Sequence, residues 1–195
     1  MIKNPIYLRL EKLNTWQLRT FMVCLCERMY PNYQFYQKHV GGDEEHCKLY
    51  KNLLDLVWET LTVKNAKINF DSQLEKLEEI IPTLTDESPY SISPAIDACQ
   101  ALSELIHSYI SGEIVPHAVK ISSISAQTVA EFEMTKADQV LNEETLTQFQ
   151  PVIDEFDIQW EIFRVIRAES DYNIELIRSL KYEIREELIS NIGIV

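Results

Sequence analysis

The sequence predicts an all-α protein, a single-domain helical bundle of about seven to nine helices over residues 1–195. Three observations carry that expectation. Apolar residues recur at helical spacing along almost the whole chain. Glycine is confined to Gly41, Gly42, Gly112 and Gly193, roughly a third of ordinary usage, whereas tight hairpins draw on glycine for positive φ. Each periodic segment is also bounded by capping residues or proline.

The elements follow in order. Asn14 or Thr15 caps a first helix that runs to Met29. Tyr30 precedes Pro31, a position biased away from the helical region, so the helix is expected to stop there. Pro31 then suits the first position of a short second helix through Lys38. Val40–His46 is a loop in which Asp43, Glu44 and Glu45 favour the start of a helix reaching Leu61. After a connector, Asp71–Pro82 places Leu74, Leu77, Ile80 and Ile81 on one helical side. Thr83–Ser93 is the longest loop; Ser93 caps and Pro94 opens the next helix, which ends at Gly112. Val115–Ser122 reads as extended, with a helix from Ser123 to Lys136. A short helix follows Asn142, and Pro151 opens a long one through Ala168. Ser170–Asn173 is a break before a last helix to Ser190, and the apolar tail Ser190–Val195 is expected to pack.

The net charge of −13 opposes nucleic acid and anionic lipid at long range. It is unevenly placed: residues 1–40 carry Lys3, Arg9, Lys12, Arg19, Arg28 and Lys38 against Glu11 and Glu27, while the rest holds 12 basic and 29 acidic side chains. The N-terminal segment therefore either docks on the acidic remainder or presents a cationic patch to a partner. There is no apolar run of signal-peptide or membrane-spanning length, and a cytoplasmic protein is expected. Cys24, Cys26, Cys47 and Cys99 have no zinc spacing; on a helix Cys24 and Cys26 point about 200° apart. They read as small buried hydrophobes. No Gly-rich phosphate loop and no cofactor fingerprint is present.

The densest stretch is Trp16–Tyr36. On a helical wheel Leu18, Phe21, Met22, Leu25 and Met29 share one direction, and Trp16, Val23, Cys26 and Tyr30 share a second. A helix apolar on two sides is central, as the Pro151–Ala168 helix also reads, unless the latter's second apolar side forms an oligomer interface. Glu27 and Arg28 must then be half-buried and paired, because an unpaired buried charge is costly. One reading makes them anchors, Arg28 to an acid on another helix and Glu27 to Arg19 or a helix N-terminus. The other makes the corner a binding surface of Arg19, Glu27, Arg28, Tyr30, Asn32 and Tyr33, since Arg and aromatic residues dominate interaction hot spots.

Other constellations are weaker. Glu104-x-x-His107 has the spacing of carboxylate-bridged metal bundles, and Asp97 lies on the same side of that helix. That side is opposite the apolar face Ala95, Ala98, Cys99, Leu102, Ile106 and Ile110, so the motif is expected to face solvent. Asp154, Asp157 and Glu161 form a stripe that could hold a hard cation or simply be solvated. The serines sit in cap or polar-face positions, with no nucleophile elbow.

Phe21–Tyr33, Asp55–Pro82, Pro94–Ser108, Asp157–Arg164 and Ser190–Ile194 resemble the YjaG-like family of uncharacterised bacterial proteins, and the resemblance spans the chain. It implies an all-helical cytoplasmic domain and a link to histidine-kinase signalling, which draws attention to His107 as a phosphoryl acceptor; it assigns no catalytic residue. The leading expectation is a non-enzymatic interaction or regulatory protein with a protein partner, using the Arg19–Tyr33 corner, and able to form a homo-oligomer. The alternative is a metal-dependent enzyme built on Asp97, Glu104, His107 and Asp157.

Overall fold

A computed structural model describes residues 4–85, 90–138, 142–146 and 148–195. The elements are α1 (Tyr7–Leu10), α2 (Thr15–Tyr36), a π-helical turn (Gln37–Gly41), α3 (Glu44–Thr62), α4 (Phe70–Glu78), α5 (Ile92–Ser111), α6 (Ile114–Ala137), α7 (Glu143–Leu146), α8 (Gln150–Ala168) and α9 (Ile174–Glu187). No strand occurs among the described residues. Residues 86–89, inside the loop expected over Thr83–Ser93, lie outside them.

Helix α2 is the axis. Asn14 and Gln17 form a reciprocal capping box at its start, each side chain accepting from the other's backbone N–H. Gln17 also donates through Nε2 to the carbonyls of Ile166 and Glu169, supplying donors to the open end of α8. Phe21, Met22, Val23, Leu25, Cys26 and Met29 are all fully buried. Helices α3, α5, α6, α8 and α9 all pack on α2, and α4 covers α3 and α5. Helices α5 and α6 form an antiparallel pair around Gly112, whose φ of 76° makes the reversal. The pairing is marked by Glu104–Lys120 near the turn and Asp97–Thr128 further along.

The structure corrects four sequence expectations. Pro31 does not end the helix: α2 continues to Tyr36 and stops only at Gly42, with φ 74°. Pro31 removes the donor to the Glu27 carbonyl, which costs about 3 kcal/mol in an isolated helix. Here Pro31, Asn32 and Tyr33 are all buried, so packing outweighs the local preference. Second, the residues expected to be extended before Ser123 are the first turns of α6. Pro116 stands in the first turn, where an N–H would have no intrahelical acceptor. Third, α5 begins at Ile92, ahead of Pro94. Fourth, α8 is not central. Val152, Phe156, Ile162, Phe163 and Ile166 face inward, but Asp154, Asp157, Glu161 and Arg164 are exposed. It is α5 that joins α2 at the centre, buried on most of its circumference.

The apolar core runs from Ile6 to Leu180, with a smaller cluster of Ala126, Ala130, Leu146, Val152 and Phe156 at one end. All four cysteines are free. Burial raises the Cys24, Cys26 and Cys99 thiols above their ordinary range, so they stay protonated packing groups. No helix among the described residues is long and apolar enough to cross a membrane.

The tail is part of the packed structure. Ser190 is buried, and its Oγ accepts from the N–H groups of Ile192 and Ile194. Asn191 donates its backbone N–H to the Arg28 carbonyl at 3.3 Å, one residue along from the carbonyl that Pro31 leaves without a donor. Its side chain donates to Ser125 and accepts from Asn32 Nδ2 at 2.8 Å. Asn191→Ala strands those partners, and we expect it to lower unfolding stability in urea by about 2 kcal/mol, with the denaturant slope unchanged.

Candidate functional site

Glu27 and Arg28 leave α2 in directions about 100° apart, and each meets a different neighbour. Glu27 Oε1 accepts from Trp58 Nε1 at 2.7 Å and from Arg185 Nε at 2.9 Å, with Arg185 Nη2 also donating. Arg185 reaches Asp55 as well, at 2.9 Å, so it bridges α2 and α3 from α9. Burial alone would lower the Arg185 pKa, but hydrogen bonds and charge from Glu27 and Asp55 raise it. Arg28 pairs with Glu155 of α8 at 2.9 Å, and the two side chains are only 11% and 1% exposed. Glu155 also accepts from Ser125 Oγ at 2.7 Å and Gln159 Nε2 at 2.8 Å. Gln159 and Ser122 bond each other, and Asn4 donates to Ser122, which carries the network to the N-terminal segment.

The remaining corner residues are held inside or far away. Tyr33 is buried, donating to the Ile80 carbonyl and stacking on Tyr50 at 4.9 Å. Tyr30 also packs against Tyr50, at 5.3 Å, and burial pushes its phenol up to about 12. Asn32 is buried against Asn191. Arg19 lies over Tyr109 of α5, away from the other five. The six side chains therefore do not form one exposed surface, because α2 is enclosed on several flanks. Glu27 pairs with Arg185, not with Arg19.

One part of the corner does open outward. Helices α8 and α9 both rest on α2 and leave a groove of about 490 Å³ between them. Arg28 and Asn191 lie at its base; Ile158, Ile162 and Val165 line the α8 side, and Leu180 and Ile184 the α9 side. Ile158 is 39% exposed, Val165 43% and Ile189 54%. Glu161, Glu183 and Glu187 stand exposed around them.

The carboxylates of the metal alternative are dispersed. Asp97 accepts from Thr128 Oγ1 at 2.7 Å in a cleft of about 370 Å³ bounded by Tyr90, Phe132 and Lys136. Burial pushes the Asp97 carboxyl up to about 6, with the Thr128 hydrogen bond opposing and Glu131 adding to the rise. Glu104 takes Lys120 and, at 2.7 Å, His117 Nδ1. Burial alone would raise the Glu104 carboxyl, but these two hydrogen bonds hold it below the ordinary range. His107 bonds neither carboxylate and stacks beside His117 at 6.2 Å. Asp157 is on the outer face of α8. Asp97, Glu104 and His107 are thus half-covered by α6 instead of facing open solvent. No group of three or more His, Cys, Asp or Glu side chains placed to hold a metal ion occurs among the described residues.

A Ser–His–Glu alignment was not anticipated: Ser111 Oγ lies 3.2 Å from His117 Nε2, and His117 Nδ1 meets Glu104. The Ser111 hydroxyl is also set 3.0 Å from the His107 carbonyl, as donor, and accepts from the Glu113 N–H, so it closes the α5–α6 turn. Sequence reasoning also missed Glu155, Gln159, Arg185 and Asn191. Glu155 and Gln159 had a readable signal, since they fall on the same face of α8 as Val152, Ile162 and Ile166. A polar pair within an apolar stripe announces a buried acceptor site.

These features define a helical bundle protein organised around a buried polar network. The chain belongs to the DUF416 family, described as "Protein of unknown function (DUF416)", which matches residues 5–195. It is 54% identical to the "Uncharacterized protein YjaG" of Escherichia coli (strain K12), covering 100% of this chain and 98% of that one. An "Uncharacterized protein" of Haemophilus influenzae is 46% identical over 99% of this chain and 98% of its own. The crystal structure of a DUF416 family protein from Shewanella baltica OS155 superposes with a TM-score of 0.88 at 32% identity, covering 98% of this chain and 99% of that one.

Two stability predictions follow from this chemistry. Arg28→Met leaves Glu155 buried without its counter-charge and should cost about 3 kcal/mol or more, much of it recovered by adding Glu155→Met; urea unfolding of the single and double variants measures this. For Asp97 the folded pKa lies above the unfolded one, so its contribution is fully present below about pH 4 and is lost as pH rises through about 6. Asp97→Asn keeps an acceptor for Thr128 and should stabilise the protein by about 2 kcal/mol at pH 7, the gain vanishing at low pH; thermal melts across pH test it.

Proposed function

We propose that this chain is a non-enzymatic interaction or regulatory protein, and that its partner docks in the α8–α9 groove. The supporting observation is the groove's make-up. Ile158, Ile162 and Val165 stand at i, i+4 and i+7 spacing along one wall, Ile162 buried and Ile158 and Val165 partly exposed, with Glu161, Glu183 and Glu187 around them. An apolar trough ringed by carboxylates suits an amphipathic helix that is apolar on one face and basic on the other. Arg28 lies at the base of this trough, so the corner singled out in the sequence has a part in the reading, as a support under the groove. The resemblance to the YjaG-like family, which implies a link to histidine-kinase signalling, supports a reading in which the partner is a protein of bacterial signalling.

The test uses the full chain and a synthetic helical peptide with leucines on one face and lysines on the other. Fluorescence anisotropy should show saturable binding that weakens as salt is added. Val165→Asp should weaken it by about tenfold or more, while circular dichroism stays unchanged. Absence of binding, or binding indifferent to both Val165→Asp and Ile158→Asp, overturns the proposal. So does a dimer seen by sedimentation that Val165→Asp abolishes, which would make a second copy the occupant.

A further inference from the structure

On the opposite flank of α2, Arg19 is a cation without a counter-charge. The chain has 31 acidic and 18 basic side chains, yet among the described residues Arg19 makes no ion pair and no hydrogen bond, and its Nε is enclosed with no acceptor. It is nevertheless held in place. Its guanidinium carbon lies 4.0 Å above the Tyr109 ring, which stacks on Phe70 at 4.2 Å with an interplanar angle of 22°. The Thr60 hydroxyl donates to the Val57 carbonyl at 2.7 Å, so the Tyr109 hydroxyl donates to Thr60 at 2.6 Å and the ring cannot swing away. A cation seated on an aromatic platform is stabilised there, while the Nη groups remain free to donate.

Those groups face a cleft of about 680 Å³ between the α3–α4 connector and α5. Lys67 supplies a second cation, and Asn65 and Asn69 supply amides. Asn69 caps α4 through its oxygen, accepting from Ser72 N, which leaves its amide N–H groups available. Ile68, Val63 and Phe70 give the cleft an apolar side, and none of the side chains lining it is a carboxylate. In a protein with a net charge of −13, a cleft lined by two cations and no acid departs locally from the overall charge.

The geometry points to an oxyanion-binding site in which Arg19 and Lys67 hold the phosphate group of a small phosphorylated molecule. A planar guanidinium fork matches two phosphate oxygens. Two cations with no opposing acid favour a dianion over a monoanionic carboxylate. The cleft is larger than a phosphate group, and its apolar side suits the organic part of the ligand. This inference is independent of the α8–α9 groove, which lies on the far side of α2.

Inorganic phosphate is the probe, titrated into the full chain at constant ionic strength and followed by calorimetry, with acetate in parallel. Saturable phosphate binding is expected, weakened about tenfold or more by Arg19→Gln. Lys67→Gln should weaken it too, with the melting temperature unchanged because Lys67 is exposed. Arg19→Lys keeps the charge but loses the fork and should bind between the wild type and Arg19→Gln. If Arg19→Gln does not fold, the Lys67→Gln and Arg19→Lys titrations decide. Three results would overturn the proposal: no saturable response to phosphate, binding unchanged in the folded variants, or acetate binding as tightly as phosphate.

Discussion

The structure depends on α2 being enclosed while carrying adjacent charges of opposite sign. Glu27 and Arg28 do not pair with each other. Successive residues on a helix diverge by about 100°, so Glu27 reaches Trp58 and Arg185 on the α3–α9 flank, and Arg28 reaches Glu155 on α8. One helix thereby specifies the placement of three others. Burying each ion is costly in isolation, and both costs are offset only because each ion meets a counter-ion and each carboxylate also meets neutral donors.

The polar network also ties the tail to the turn of α2 that holds its proline. Pro31 deprives the Glu27 carbonyl of its helical donor, and the tail brings the Asn191 N–H to the next carbonyl, that of Arg28. The Asn191 side chain then closes on Asn32 and Ser125, joining α2 to α6. The apolar character of Ser190–Val195 is therefore secondary. What fixes the tail is its hydrogen bonding to this turn of α2 and to α6, and residues 190–194 serve as internal structure for residues some 160 positions earlier.

Helices and caps were legible in the sequence because they are local. Asn14 caps α2 and Asp43 opens α3 as read, whereas Asn69 and Asn173 cap α4 and α9 from stretches read as a connector and a break, and the expected cap Ser93 lies inside α5. The enclosed character of α2 was legible too, as was the pairing of Arg28 with an acid on another helix. Failures came where tertiary burial overruled a local rule. Pro31 and Pro116 are breakers by propensity, yet one is buried in mid-helix and the other sits in a first turn. The rank of α8 was misjudged because Ile158 and Val165 look like core on a wheel but remain partly exposed. Identities of partners were not legible at all. That Glu27 meets Arg185, or that Arg19 meets Tyr109, follows from which helices cross, and no single-chain pattern encodes that.

Polar chemistry is distributed unevenly over this molecule, and the distribution is what locates its functional surfaces. Buried charges are met: Glu27, Arg28 and Glu155 each have partners within hydrogen-bonding distance. Against that pairing, an apolar trough left open between two helices and a guanidinium left unmatched over a ring stand apart from the rule that Glu27, Arg28 and Glu155 obey. A sequence under no demand except folding could replace Arg19 by an apolar residue packed on Tyr109, since that would remove a half-buried charge at little cost in contact area. It could likewise replace Ile158 and Val165 by polar residues without disturbing the core, because neither belongs to it. Physical exceptions that folding does not require are the places where binding is the better explanation, and here they fall on opposite flanks of the same central helix.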